Sequence, residues 1–166
     1  KSSFQKYRKE STEFASFRKK KFEALTELWI EEELYRKILE AMPIPTVDAI
    51  VIHKGKFLLL KRNNPPMKGE WWIPGGRIRK GEELEDAVKR EVLEETGLKC
   101  DILRQIGVIN QIFPECHTIS IYYLVKSESM DVKLNQEHSS YKWFSKLPKN
   151  SHLYLKTMIK NAGFPI

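Results

Sequence analysis

Between Gly76 and Leu98 the chain places four acidic groups, Glu82, Glu91, Glu94 and Glu95, and one arginine, Arg90, at fixed spacing. They stand between a Pro74-Gly75-Gly76 turn and a stop at Gly97. On a helical wheel of about 100° per residue, Glu91, Glu94 and Glu95 fall within roughly a 100° arc, because steps of three, four and one residues share a face. Like charges so close repel one another and require counter-charge. Hard divalent cations such as Mg²⁺ or Mn²⁺ meet that need: they prefer oxygen ligands, and Mg²⁺ keeps several waters and shares substrate phosphates. A cation so held can polarise a phosphoryl oxygen or lower the pKa of an attacking water. A solvated, salt-bridged helix face would also carry such glutamates. The fixed spacing and the glycine pair, whose backbone a ligand can approach closely, favour chemistry on phosphates.

The elements that must hold these groups are readable from periodicity. The helix runs from Glu82 or Glu83 to Thr96, with Leu84, Val88 and Val92 as its apolar stripe, and Gly97 ends it. Upstream, Val47–His53 and Phe57–Lys61 flank a tight Lys54-Gly55-Lys56 turn and read as a hairpin. Asn63-Asn64-Pro65-Pro66 is a loop, followed by Trp71-Trp72-Ile73. On a strand Trp71 and Trp72 point to opposite faces, so one packs in the core and the other faces the surface or a ligand. Leu98–Phe113 and His117–Lys126 read as long strands, Tyr141–Phe144 as a short one, and Leu153–Asn161 as a closing helix. Residues 12–41 show apolar groups at helical spacing (Phe14, Phe17, Leu25, Leu28, Trp29, Ile30, Leu34, Ile38). The stripe changes phase near Leu28–Ile30, so two helices or a bent one are expected, ended by Met42-Pro43-Ile44-Pro45.

The 166 residues, 41% hydrophobic and 31% charged, fit a single globular domain. No stretch approaches the roughly 18 consecutive apolar residues of a membrane span, and no secretory signal pattern is present. Cys100 and Cys116 form no metal-ligand spacing, so a reduced, cytoplasmic setting is expected. The net charge of +7 is concentrated at the start, where residues 1–22 hold eight basic groups against Glu10 and Glu13. That arm could be a solvated extension or a contact for nucleic acid.

Gly76–Leu98 matches the Nudix box, Gly-x5-Glu-x7-Arg-Glu-apolar-x-Glu-Glu-x-Gly-apolar, without departure. The resemblance implies an α/β fold, an α/β/α sandwich with a mixed β-sheet. Here residues 42–166 would form the Nudix domain and residues 1–41 a helical N-terminal extension. It also implies Mg²⁺-dependent hydrolysis of a nucleoside diphosphate linked to another group. By position, Glu91, Glu94, Glu95 and the Gly75 carbonyl would be metal ligands, Arg90 would orient Glu91, and Glu82 would support the loop and helix.

A second resemblance, to GDP-mannose mannosyl hydrolases, covers Lys61–Pro66, Gly69–Arg77, Glu137–Phe144 and the Tyr35–Pro45 region. It implies that Arg62 and Arg77 grip the diphosphate, a task suited to a planar guanidinium fork. It implies that His138 is the general base, poised near neutral pH. Glu137, Glu115 and His117 are alternative bases, and Trp72 is the aromatic candidate for substrate contact. Those hydrolases lack two box carboxylates and displace at the sugar carbon, whereas Glu91 and Glu94 are both present here. The shared segments point to a nucleotide sugar such as GDP-mannose, while the complete box points to attack on phosphorus. An ADP-ribose pyrophosphatase and a house-cleaning nucleoside triphosphate hydrolase are the enzymatic alternatives. An RNA-acting protein using the basic arm is the alternative class. The arm lacks interleaved aromatic and basic residues on a strand, so its aromatic stripe is better read as a homodimer contact.

Overall fold

The computed structural model describes residues 30–166. The arm and its stripe at Phe14, Phe17, Leu25, Leu28 and Trp29 lie outside the described residues. The elements in chain order are α1 (Glu32–Ala41), β1 (Ile44–His53), β2 (Lys56–Arg62), β3 (Trp71–Trp72), β4 (Gly75–Arg77), α2 (Leu84–Thr96), β5 (Cys100–Ile112), β6 (His117–Ser127), β7 (His138–Phe144) and α3 (Leu153–Asn161).

Seven strands form one mixed sheet, in the order β3-β2-β1-β6-β5, with β4 paired to β1 and β7 to β2. β1 and β6 run parallel from Ile44↔Thr118 to Ile52↔Lys126, and the other pairs are antiparallel. The β1–β2 hairpin turns through Lys54 and Gly55, both at positive φ, where glycine carries no steric penalty. The two strands pair only next to this turn, at Ile52↔Phe57 and His53↔Lys56. Beyond it they splay, and residues 71–77 bridge the gap. β3 pairs with β2 at Leu60↔Trp72, the Ala49 amide donates to the Pro74 carbonyl at 2.8 Å, and β4 pairs with β1 from Thr46↔Arg77 to Asp48↔Gly75. The glycine pair therefore sits in a cleft that the divergence of two strands creates.

Alternation along the strands builds the two faces of the sandwich. Val47, Ala49 and Val51 of β1, Leu58 and Leu60 of β2, and Tyr123 and Val125 of β6 pack with Ala87, Val88 and Val92 of α2. The intervening Ile50, Phe57, Leu59 and Tyr122 pack with Leu155, Met158 and Ile159 of α3. This is the α/β/α sandwich expected. α2 ends at Gly97, whose φ of 68° is the left-handed stop that glycine accepts. Two differences from the sequence reading are local. The Gly75-Gly76 turn is also a short strand, because β1 supplies its pairing. β7 begins at His138 rather than Tyr141, because its polar start pairs with the irregular end of β2, Arg62↔His138. Among the described residues no helix is long and apolar enough to cross a membrane, and both cysteines are free.

Candidate active site

A cavity of ≈ 1160 Å³ opens where β1 and β2 diverge. Its lining includes Gly75, Gly76, Glu91, Glu94 and Glu95, the arginines Arg62, Arg77, Arg79 and Arg90, Asp48, Trp72, Glu115 and Glu137, and the face of α1 carrying Leu34, Tyr35 and Leu39. The volume suffices for a nucleotide and a further group.

Arg90 organises the carboxylates. Its Nε donates to Glu82 Oε1 at 2.6 Å and its Nη2 to Glu82 Oε2 at 2.8 Å, a bidentate fork. Its Nη1 reaches Glu91 Oε1 at 2.5 Å and Glu94 Oε2 at 3.2 Å, and Nη2 also donates to the Arg77 carbonyl at 3.0 Å. Burial alone would raise the Glu82 pKa, but the bonds and charges of Arg90 and the Arg79 amide outweigh it and hold Glu82 below its ordinary value. Lysine would keep the charge but lose the fork. Arg90→Lys should weaken metal binding roughly tenfold, as loss of an orienting partner does, measured by Mg²⁺ titration of the rate.

Glu91 and Glu95 are shifted upward. Burial raises Glu91 in spite of Arg90. Glu95, 3% exposed, is raised well above its ordinary value by burial and by the charges of Glu91 and Glu137, although the Gly75 amide donates to its Oε2 at 3.1 Å. Among the described residues no three acidic, histidine or cysteine side chains yet converge as a metal cluster. The oxygens of Glu94 are held instead by Arg90 and by Arg79, the latter at 3.0 Å. The donor set nevertheless fits a hard cation: all oxygen, with Glu95 buried and, among the described residues, without a cationic partner at hydrogen-bond distance. Beside it lies a backbone cradle at Gly75 and Gly76 that a Cβ would fill.

The remaining expected residues divide. Trp72 is buried and lines the cavity, edge-to-face with Phe113 at 6.0 Å. Trp71 packs on Phe144 outside the cavity lining. Arg62 borders the cavity but spends its Nε on the Pro66 carbonyl at 2.8 Å, so it also fastens the 63–66 loop. His138 differs from expectation. It is buried, absent from the cavity lining, and depressed to about 4 by burial and by the charge of Arg62. A histidine buried neutral resists protonation. Its folded value lies below the ordinary 6.5, so the unfolded chain binds more protons across pH 6.5 to 4, and stability falls as pH is lowered through that window. His138→Gln should flatten this loss, read as the difference in urea midpoint between variant and parent at pH 7 and pH 5.

Asp48, Arg79 and Tyr35 are among the cavity residues to which sequence alone assigns no role. Asp48 is 6% exposed, hydrogen-bonded by Ser120 and pushed up to about 6 by burial. The one signal available was a charge inside the apolar run Val47–His53. Arg79 and Tyr35 enter through tertiary contacts that no local pattern announces.

The site thus sets a glutamate-bearing helix beside a glycine turn in a large cleft of a mixed sheet. The chain matches the NUDIX domain over residues 42–147, more than half its length, and belongs to the Nudix hydrolase family. It is 34% identical to the ADP-ribose pyrophosphatase of Methanocaldococcus jannaschii over 72% of this chain and 73% of that protein. It is 27% identical to the low-salt glycan biosynthesis protein Agl8 of Haloferax volcanii over 76% of this chain and 86% of that protein. Among solved structures, a MutT NUDIX hydrolase from Burkholderia pseudomallei superposes with a TM-score of 0.66 at 26% identity, covering 72% of this chain and 98% of the other.

Proposed function

We propose that this Nudix hydrolase cleaves the diphosphate of a nucleotide sugar, a GDP-sugar being the first choice, by water attack on phosphorus. The observation that carries this reading is that Glu91, Glu94 and Glu95 line one cavity together with the glycine cradle. Mg²⁺, or Mn²⁺, would be held by these carboxylates with the Gly75 carbonyl, and would supply Lewis-acid polarisation of a phosphoryl oxygen and acidification of water. Arg90 holds Glu91 in place, and Arg62 and Arg77 engage the diphosphate. Trp72, buried in the cavity wall, is the aromatic candidate for substrate contact.

Removal of the water proton falls to Glu137. It lines the cavity, and its charge is felt at both Glu91 and Glu95. His138 is buried and does not line the cavity. Glu137→Gln should lower kcat more than His138→Gln does, measured under saturating substrate and metal.

ADP-ribose is the second substrate choice, favoured by the 34% identity to an ADP-ribose pyrophosphatase. Purified protein incubated with Mg²⁺ and GDP-mannose, ADP-ribose or nucleoside triphosphates, with the products separated by chromatography, distinguishes these readings. The expected products are a nucleoside monophosphate and a sugar phosphate. Turnover of triphosphates alone would point to the house-cleaning activity instead. The homodimer, the cytoplasmic setting and an RNA contact rest on residues 1–41 and on composition. Light scattering, and RNA binding with and without residues 1–22, would test the first and last.

A further inference from the structure

Arg77 is held from two sides. Its backbone is fixed by strand pairing, Thr46↔Arg77, and by the Arg90 Nη2 donation to its carbonyl at 3.0 Å. Its side chain is fixed elsewhere: the guanidinium lies over the Tyr35 ring, 4.3 Å from the centroid. Among the described residues no carboxylate forms an ion pair with it. A guanidinium stacked on a ring keeps its N–H edges free for other acceptors. Both residues line the cavity. The helix that carries Tyr35 has no buried residue, yet its Leu34, Tyr35 and Leu39 face the site. Its place against the domain is thus set at the cavity rather than in the core.

We propose that Tyr35 is a positioning residue for phosphate binding: its ring holds the Arg77 guanidinium with its donors directed at the diphosphate, making α1 a wall of the active site. This inference rests on the reading that Arg77 engages the diphosphate, and the experiment separates the two. Binding of magnesium pyrophosphate, which carries the diphosphate without base or sugar, is measured by calorimetry on the full chain for Tyr35→Phe, Tyr35→Leu, Arg77→Gln and the double variant. Tyr35→Phe keeps the ring face and should bind as the parent does. Tyr35→Leu should weaken binding roughly tenfold, the scale of one such contact. In the Arg77→Gln background, Tyr35→Leu should add no further loss. If Tyr35→Leu binds like the parent while Arg77→Gln is weakened, the positioning role is wrong and the Arg77 reading stands. If the parent does not bind pyrophosphate, or Arg77→Gln leaves its affinity intact, both fall. Additive losses in the double variant, or a loss in Tyr35→Phe equal to that in Tyr35→Leu, would also overturn the positioning role. Equal far-UV circular dichroism and equal melting temperatures across the set establish that neither the helix nor the domain has simply unfolded.

Discussion

Glu95→Gln should abolish hydrolysis while making the metal-free protein more stable. The carboxylate is buried, and its pKa is driven well above the ordinary value of 4.5 by burial and by the charges of Glu91 and Glu137. A group whose folded pKa is raised binds more protons folded than unfolded, so its contribution to stability falls as pH rises from about 4.5 through the folded value. At neutral pH the charged form is a cost that the protein carries. Glutamine removes the charge and can still accept the hydrogen bond from the Gly75 amide, 3.1 Å in the parent. The variant should therefore melt higher than the parent in EDTA at pH 7 to 8, with the gap closing near pH 4. Its kcat should fall on the order of 10³-fold, since a cation's charge stabilisation is worth several kcal/mol and each 1.36 kcal/mol is tenfold. Added Mg²⁺ should raise the parent's melting temperature by mass action and raise the variant's less. A variant that melts lower than the parent in EDTA would show that Glu95 is a structural acid.

The two glycines of the cradle should fail in opposite ways. A Cβ on Gly76 would stand 2.6 Å from Glu91 Cδ and Oε1. That carboxylate ends a side chain and can move, but moving it breaks its contact with Arg90 at 2.5 Å. Gly76→Ala should leave the fold nearly intact and lower metal-supported activity about 100-fold, the upper range for a disturbed ligand. A Cβ on Gly75 instead meets the Val47 carbonyl oxygen, Asp48 Oδ1 at 2.5 Å and Asp48 Cα at 2.9 Å. Two of these are backbone atoms of β1, so β4 itself must shift. Gly75→Ala should cost about 1–3 kcal/mol, as overpacking does, read as a lower urea midpoint. Equal midpoints for both variants would contradict this division.

Much of the fold was legible because its elements carry their own periodicity. The α2 stripe of Leu84, Val88 and Val92, the Gly97 stop and the Lys54-Gly55 hairpin turn are local signals, and each element lies where its pattern put it. β4 and the start of β7 escaped, because Gly75-Gly76 and His138-Ser139-Ser140 become strands only through partners on β1 and β2. The same distinction runs through the site. Glu91, Glu94, Glu95 and Arg90 share one helix, so spacing alone aligns them. Burial is not encoded in spacing, so the sequence suggests a near-neutral His138 where the fold buries it and depresses it. Asp48, Arg79 and Tyr35 reach the cavity from separate segments.

The most direct test of attack on phosphorus is hydrolysis of GDP-mannose or ADP-ribose in ¹⁸O-labelled water, with mass spectrometry of the products. On the proposed attack at phosphorus, the label should appear in a nucleoside monophosphate or in the sugar phosphate, and free sugar should be absent. Label on the sugar carbon, with unlabelled nucleoside diphosphate released, would contradict it.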